Sequence, residues 1–444
     1  MAMSDMYQAE VPLYGTLLKM VESVNQDMLG KHPYLKDELQ QTKNLKRISQ
    51  ERHGAIRLGT QQELFNIRRL FAVMGMYPVA YYDLSVAGIP VHSTAFRPIS
   101  QQALSANPFR VFTSLLRTEL IADQVLREKA TAILDARQIF SDDLLELIDI
   151  AEQQNGLQEQ QAAHFIAKSL DVFRWHEEAL VDIETYEELK QSHPLVADVV
   201  SFKGPHINHL TPATLNIDQI QHTMLQQGID SKAIVEGPPT RKCPVLLRQT
   251  SFKALVEAVR FRDKKGSSED GFHTARFGEV EQRGIALTPK GQALYDRLLL
   301  QTREKITPLG DGSNAQDYMQ TLEQNFELFP DSYKALYQQE LAYFFHSVTN
   351  KADNNNAASD MSLEELIELG FVRYDPILYE DFLPVSAAGI FQSNLGNNEE
   401  GKSIRSSNQA EFEKALGVKV ENQFKLYEKA QQQSIQHCLE TLSK

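Results

Sequence analysis

The chain has 444 residues, enough for two or three compact units or for one core with a large insertion. Hydrophobic residues make up 42% and charged residues 23%, the balance of a globular protein. A formal net charge of −14 sets the surface against nucleic-acid phosphates and anionic lipid, so neither is expected as a partner.

Residues 13–30 place apolar side chains at helical spacing and end on Gly30, which predicts an amphipathic helix with a glycine stop. Glu51–Leu58 reads as a short strand. Residues 60–74 read as a helix opened by a capping box, Thr60 with Glu63. Residues 77–99, rich in Val, Tyr and Ile with Gly and Pro punctuation, predict two or three short strands. From 108 to 194 the pattern turns helical, over 118–138, 141–154 and 158–174, with Asn155-Gly156 separating the last two. This block predicts an all-helical insertion, with the lone Trp175 packed in its core. Strand character returns at 196–202, 233–235 and 244–248. A helix is expected near 250–262, a solvated loop over 262–271 and a strand over 273–283. Residues 289–349 read as largely helical, 351–359 as an exposed loop, 377–391 as a mixed apolar segment and 409–444 as helical. The class is α+β, separated βαβββ-like pieces with helical insertions, divided at 1–107, 108–195, 196–295, 296–376 and 377–444.

The two cysteines, Cys243 and Cys438, are far apart and in no metal-ligand spacing, which argues against a disulfide scaffold and a thiolate zinc site. Met1–Pro12 has no apolar leader core. No stretch approaches the roughly 20 consecutive apolar residues of a membrane helix, so a cytoplasmic location is expected. Phosphate-binding loops, Gly-x-Ser-x-Gly and His-Glu-x-x-His are absent, which removes nucleotide-dependent and zinc-peptidase chemistry.

Three segments can carry chemistry: 51–57 (ERHGAIR), 204–212 (GPHINHLTP) and 273–284 (HTARFGEVEQRG). Together they offer two imidazoles and a carboxylate from extended backbone. Such a set on one face of a metal leaves positions open for O₂ and a bidentate 2-oxo acid, which suits non-haem Fe(II). Any one of the chain's 12 histidines is more commonly a surface or core residue. Spacing alone leaves two choices open. Pro205 and Pro212 argue against a helix through His206 and His209, so only one of the two need face a metal. Glu279 and Glu281 fall on one strand face, so periodicity does not choose between them. Arg57, four residues after His53, can hold a substrate carboxylate by a two-point contact, although a surface salt bridge is the commoner use of an arginine. In 381–391 (DFLPVSAAGIF), small residues allow close backbone approach and Ser386 can donate to a carboxylate; a tight turn explains the segment equally well.

These segments, with 379–396 (YEDFLPVSAAGIFQSNLG), resemble the bacterial 2-oxoadipate dioxygenase/decarboxylase family, also called D-2-hydroxyglutarate synthases, over nearly the whole chain. The resemblance implies a vicinal-oxygen-chelate-like βαβββ core cupping a metal, with large helical insertions. It implies Fe(II) held by His53, His209 and Glu279, the last because Glu279-Val280-Glu281-Gln282-Arg283 matches the family's Glu-x-x-Gln-Arg form. His53, Arg57, His209, Glu279, Val385 and Ser386 would contact substrate, with Arg57 gripping the distal carboxylate. The implied reaction takes 2-oxoadipate and O₂ to (R)-2-hydroxyglutarate and CO₂ in lysine catabolism. The alternative is another metal-dependent enzyme of this scaffold, an isomerase or lyase acting on a 2-oxo acid. The oligomeric state is left open.

Overall fold

Four helices lead into the first strand: α1 (Ala2–Glu10), α2 (Pro12–Lys31), α3 (Pro33–Gln41) and α4 (Leu45–Gln50). Strand β1 (Arg52–Leu58) then sets the geometry of the site by its alternation. Ile56 and Leu58 enter the main core, so His53, Ala55 and Arg57 share the opposite face. The structure is a computed structural model that describes residues 2–41, 44–262, 268–309, 311–351, 361–383 and 399–443.

After β1 the chain turns into α5 (Gln61–Val73), where Thr60 and Glu63 form the expected capping box. Strands β2 (Tyr77–Asp83), β3 (Val91–Arg97) and β4 (Phe109–Leu116) follow. β4 runs parallel to β1 and antiparallel to β3, and β3 is antiparallel to β2. Residues 52–116 are therefore a βαβββ unit, with sheet order β2-β3-β4-β1. On the free side of β1, the short β5 (Leu210–Pro212) adds antiparallel and places His53 opposite Thr211. Gly54 permits that approach: a Cβ there would stand 3.1 Å from Leu210 Cδ2 and 3.2 Å from the His209 carbonyl.

The helical block begins later than the sequence pattern suggests. Residues 109–116 are the central strand β4, whose fully buried Arg110 interrupts its apolar reading. Helices α6 (Gln101–Ala106), α7 (Gln124–Ala136), α8 (Asp142–Gln154), α9 (Glu159–Phe173), α10 (Ile183–Ser192) and α11 (Pro194–Ser201) complete the region. Asn155, left-handed at φ 55°, ends α8 as expected. The strand expected at 196–202 is instead α11, which opens with a proline at its first turn and is capped by His193, whose side chain accepts from the Leu195 N–H. Trp175 packs against the core between α7, α10 and α11.

Beyond β5, α12 (Ile217–Gln226) precedes β6 (Leu247–Ser251), β7 (Val256–Arg262), β8 (Ser268–Thr274) and β9 (Glu279–Arg283). Five expectations are corrected here. The predicted 233–235 strand is not formed, and its 244–248 neighbour is displaced to β6. The predicted 250–262 helix is instead β7, with Val259 and Phe261 buried and their neighbours outward. The predicted 273–283 strand is two strands broken at 275–278, and part of the predicted loop before it belongs to β8. β6 pairs with β9, and Ala213 bridges Glu281 in parallel, so β9 lies beside the β5 edge.

Helices α13 (Pro289–Lys305), α14 (Ala315–Phe326) and α15 (Tyr333–Gln338) build a second core. The 296–376 region is not wholly helical: β10 (Phe344–Val348) pairs with β11 (Val372–Pro376), flanking α16 (Leu363–Glu368). Helices α17 (Glu399–Leu416) and α18 (Gln423–Leu442) close the chain. Among the described residues no helix is long and apolar enough to cross a membrane.

Candidate metal and substrate site

His53 from β1, His209 just before β5 and Glu279 at the start of β9 converge, with one ligating atom from each lying within 4.8 Å of the others. Glu279 Oε2 stands 3.0 Å from His53 Nε2 and 3.5 Å from His209 Nε2, and accepts a hydrogen bond from Thr211 Oγ1 at 3.1 Å. The segments are tied from behind: the Tyr7 hydroxyl of α1 donates to the carbonyls of both Asn208 and Phe277. Phe382 meets the His53 ring edge-on at 5.0 Å, and Phe277 lies 4.7 Å from the His209 ring, so each imidazole has an aromatic neighbour.

The electrostatics favour a cation. Burial holds His209 down at about 4 against the pull of Glu279, so at neutral pH the ring is uncharged and keeps a lone pair to ligate. Its Nδ1 is buried without a hydrogen-bond partner among the described residues. Burial alone would raise the Glu279 carboxyl, but His209 and His53 outweigh it and hold it below the ordinary range. Burial opposes a charge on His53, but Glu281 and Glu279 outweigh it and raise its pKa, so a bound metal would displace a proton from that ring; with the uncharged His209 and the ionised Glu279 the set fits a divalent first-row ion.

Glu281 shares the Glu279 face, as the period of two requires, but meets the other side of His53. Its Oε2 stands 2.7 Å from Nδ1, an ion-pair contact off the angle of a formal hydrogen bond. This is the position of a carboxylate that orients a ligating histidine. Glu281 belongs to a buried ionic network. Arg110 Nη2 lies 2.9 Å and Arg283 Nε 2.7 Å from its Oε1. Arg110 and Arg47 also grip Glu380, and Arg47, Arg110 and Arg283 all meet Glu51. Despite burial, the arginines and His53 hold Glu281 well below the usual carboxylate range. Next in the chain, Asp381 is clamped by Arg97 at 2.7 Å, which fixes Phe382 against His53. Val385 and Ser386 lie outside the described residues.

Arg57 lies on the His53 face of β1, and its Nη1 donates to Asp198 Oδ2 at 2.6 Å. Asp198, from α11, also gathers His206 and His273, whose Nε2 atoms lie 3.3 and 2.9 Å from its Oδ1. The structure thus separates the His206–His209 pair: His209 joins Glu279, whereas His206 joins Asp198. The three could ligate a metal by geometry. Hydrogen bonds already occupy His273 on both nitrogens, and the Arg57 cation sits on Asp198, so this cluster is internally satisfied. Sequence reading missed Asp198, Arg110 and Glu380. The available signal was a lone charge inside an apolar run, as in PLVADVVS (194–201) and FRVFTSLL (109–116).

The family model for 2-oxoadipate dioxygenase/decarboxylase matches residues 1–394. The curated 2-oxoadipate dioxygenase/decarboxylase of Pseudomonas putida is 53% identical over 444 residues, covering 100% of this chain and 95% of the relative. Its counterpart in Escherichia coli is 52% identical over 439 residues, covering 98% of this chain and 96% of the relative. The crystal structure of hydroxyglutarate synthase from Pseudomonas putida in complex with 2-oxoadipate superposes with a TM-score of 0.91 at 52% identity, covering 100% of this chain and 96% of that one. With a model match over most of its length and relatives above half identity, the chain belongs to the 2-oxoadipate dioxygenase/decarboxylase family.

Proposed function

We propose that this chain is a non-haem Fe(II) enzyme that converts 2-oxoadipate and O₂ to (R)-2-hydroxyglutarate and CO₂, as a step in lysine breakdown in the cytoplasm. The observation that carries the reading is the meeting of His53, His209 and Glu279 out of three extended segments. Its support is the family, together with a relative named for this activity and a similar hydroxyglutarate synthase solved with 2-oxoadipate. The βαβββ unit of 52–116 is read as one vicinal-oxygen-chelate-type module, with β1 and the neighbouring β5 and β9 cupping the ion.

His53, His209 and Glu279 would hold Fe(II). When bound, the ion supplies open positions for a chelating 2-oxo acid and the redox chemistry that couples O₂ to loss of the carboxylate. Glu281 keeps His53 turned toward the site. Arg57 binds the distal carboxylate and so places the chain of the substrate along the face of β1. Phe382 and Phe277 keep the reacting end dry. The stoichiometry closes: both atoms of O₂ end in hydroxyglutarate and CO₂, with no further co-substrate.

The test is anaerobic reconstitution of metal-free protein with Fe(II), followed by 2-oxoadipate and air, with O₂ uptake and products measured. One O₂ consumed per CO₂ and 2-hydroxyglutarate formed is expected. Conversion of a 2-oxo acid without O₂ uptake would overturn the reading in favour of an isomerase or lyase.

A further inference from the structure

We infer that Asp198 is a positioning residue for Arg57, one that fixes the reach of the guanidinium and thereby the length of 2-oxo dicarboxylate accepted. The inference rests on the reading of Arg57 as the distal anchor. Asp198 is itself immobilised: α11 carries it into the core, and His206 and His273 point their Nε2 atoms at its Oδ1. His273 can donate there because its other nitrogen, Nδ1, accepts from the Tyr186 hydroxyl at 2.9 Å. Trp175 stacks parallel to His273 and edge-on to His206, which fixes both rings. The carboxylate is ionised: burial opposes the charge, but Arg57 and His206 outweigh it and hold Asp198 well below the usual range.

Arg57 joins this fixed group to the strand face that carries His53. Its side chain is 27% exposed, whereas that of Asp198 is 6% exposed. Only Nη1 is committed; among the described residues no hydrogen bond is made by Nε or Nη2. One edge of a planar fork is therefore docked on a buried carboxylate, and the rest is available to a second carboxylate. A free arginine would lose its rotamer freedom on binding substrate, and the Asp198 contact removes that freedom beforehand. Arg57 and His53 stand on one strand face, so the distance from anchor to metal set is held by rigid backbone. Releasing Arg57 from Asp198 blurs that distance.

The experiment compares Fe(II)-loaded wild type with Arg57→Ala, Asp198→Asn, the double variant and Tyr186→Phe. Each is assayed with 2-oxoadipate, 2-oxoglutarate and 2-oxohexanoate, with iron content and melting temperature measured alongside. In Asp198→Asn, KM for 2-oxoadipate should rise about tenfold or more, with kcat changed much less. The preference for 2-oxoadipate over 2-oxoglutarate should shrink, KM for 2-oxohexanoate should hold, and bound iron should be retained. In the Arg57→Ala background the Asp198 change should add nothing. Tyr186→Phe should shift the same ratio in the same direction by less. If Arg57→Ala raises KM but Asp198→Asn does not, the positioning role is overturned and the anchor stands. If Arg57→Ala leaves KM unmoved, both fall. An equal rise in KM for 2-oxohexanoate reduces Asp198 to a structural residue and overturns the inference. Should Asp198→Asn not fold, an unchanged substrate ratio in folded Tyr186→Phe overturns it as well.

Discussion

On the proposed reading, replacing Glu281 by glutamine separates a metal ligand from the group that aims one. The substitution keeps the volume and removes one charge from a fully buried set that balances Arg47, Arg110 and Arg283 against Glu51, Glu281 and Glu380. One buried cation then goes uncompensated, and an amide N–H₂ is placed among guanidinium donors. Breaking a buried ion pair from one side costs about 3–5 kcal/mol, and most of this should appear as lost stability of the metal-free fold. For the proposed metal, the contact that would matter is the 2.7 Å approach to His53 Nδ1. Loss of such an orienting carboxylate typically weakens metal binding 10–100-fold, about 1.4–2.7 kcal/mol. The assay is anaerobic Fe(II) titration against a chromophoric chelator, paired with thermal unfolding of the metal-free and loaded protein. Glu281→Gln should bind the metal more weakly, reach full occupancy at high Fe(II), and melt earlier than wild type. Affinity equal to wild type would refute the orienting role. Abolished binding in Glu281→Gln with retained binding in Glu279→Gln would show that Glu281 is the ligand.

Other outcomes follow from the same geometry. Alanine at His53, His209 or Glu279 should each abolish stoichiometric Fe(II) binding, whereas His206→Ala should keep it, because His206 faces Asp198; metal loss in His206→Ala alone would reverse the choice. Arg57→Ala should keep its iron but lose 2-oxoadipate affinity, since truncating one partner of such a charge pair costs about 2–5 kcal/mol; equal turnover of 2-oxohexanoate and 2-oxoadipate by wild type would contradict the anchor. Burial raises Asp296 from 3.8 to about 6, with Gln292 Nε2 donating to it at 2.9 Å. A folded value above the unfolded one means that the acid form favours the fold: the contribution is full below 3.8 and is lost as pH rises through about 6. Asp296→Asn should therefore stabilise the fold at pH 8 by on the order of 2–3 kcal/mol, read as a higher melting temperature, and change little at pH 4. The same gain at both values would show that titration is not the cause.

Local signals were legible wherever one residue pattern had one structural outcome. The capping box of Thr60 and Glu63, the Asn155-Gly156 stop and the strand at 52–58 are set by neighbouring residues, and all three are found. Within β9 the period of two correctly put Glu279 and Glu281 on one face. Misreadings came where burial overrode propensity. PLVADVVS is a helix buried from Val196 to Ser201, a short apolar run that does not distinguish helix from strand, and the strand at 256–262 alternates in a segment whose Ala, Leu and Glu favour helix.

By itself, then, the sequence determined which short segments hold candidate ligands and, through the family resemblance, which ligand set to expect. It did not determine what each charged group meets, because partners in a buried network come from positions far apart in the chain. His53 lies 226 residues from Glu279, and Arg57 lies 141 from Asp198. Only the folded sheet puts Glu279 on one nitrogen of His53 and Glu281 on the other, and only the packing of α11 turns a lone aspartate in an apolar run toward Arg57. Backbone periodicity is local and can be read from a string. The pairing of buried charges is an energetic demand that many distant partners could meet, and tertiary structure selects among them.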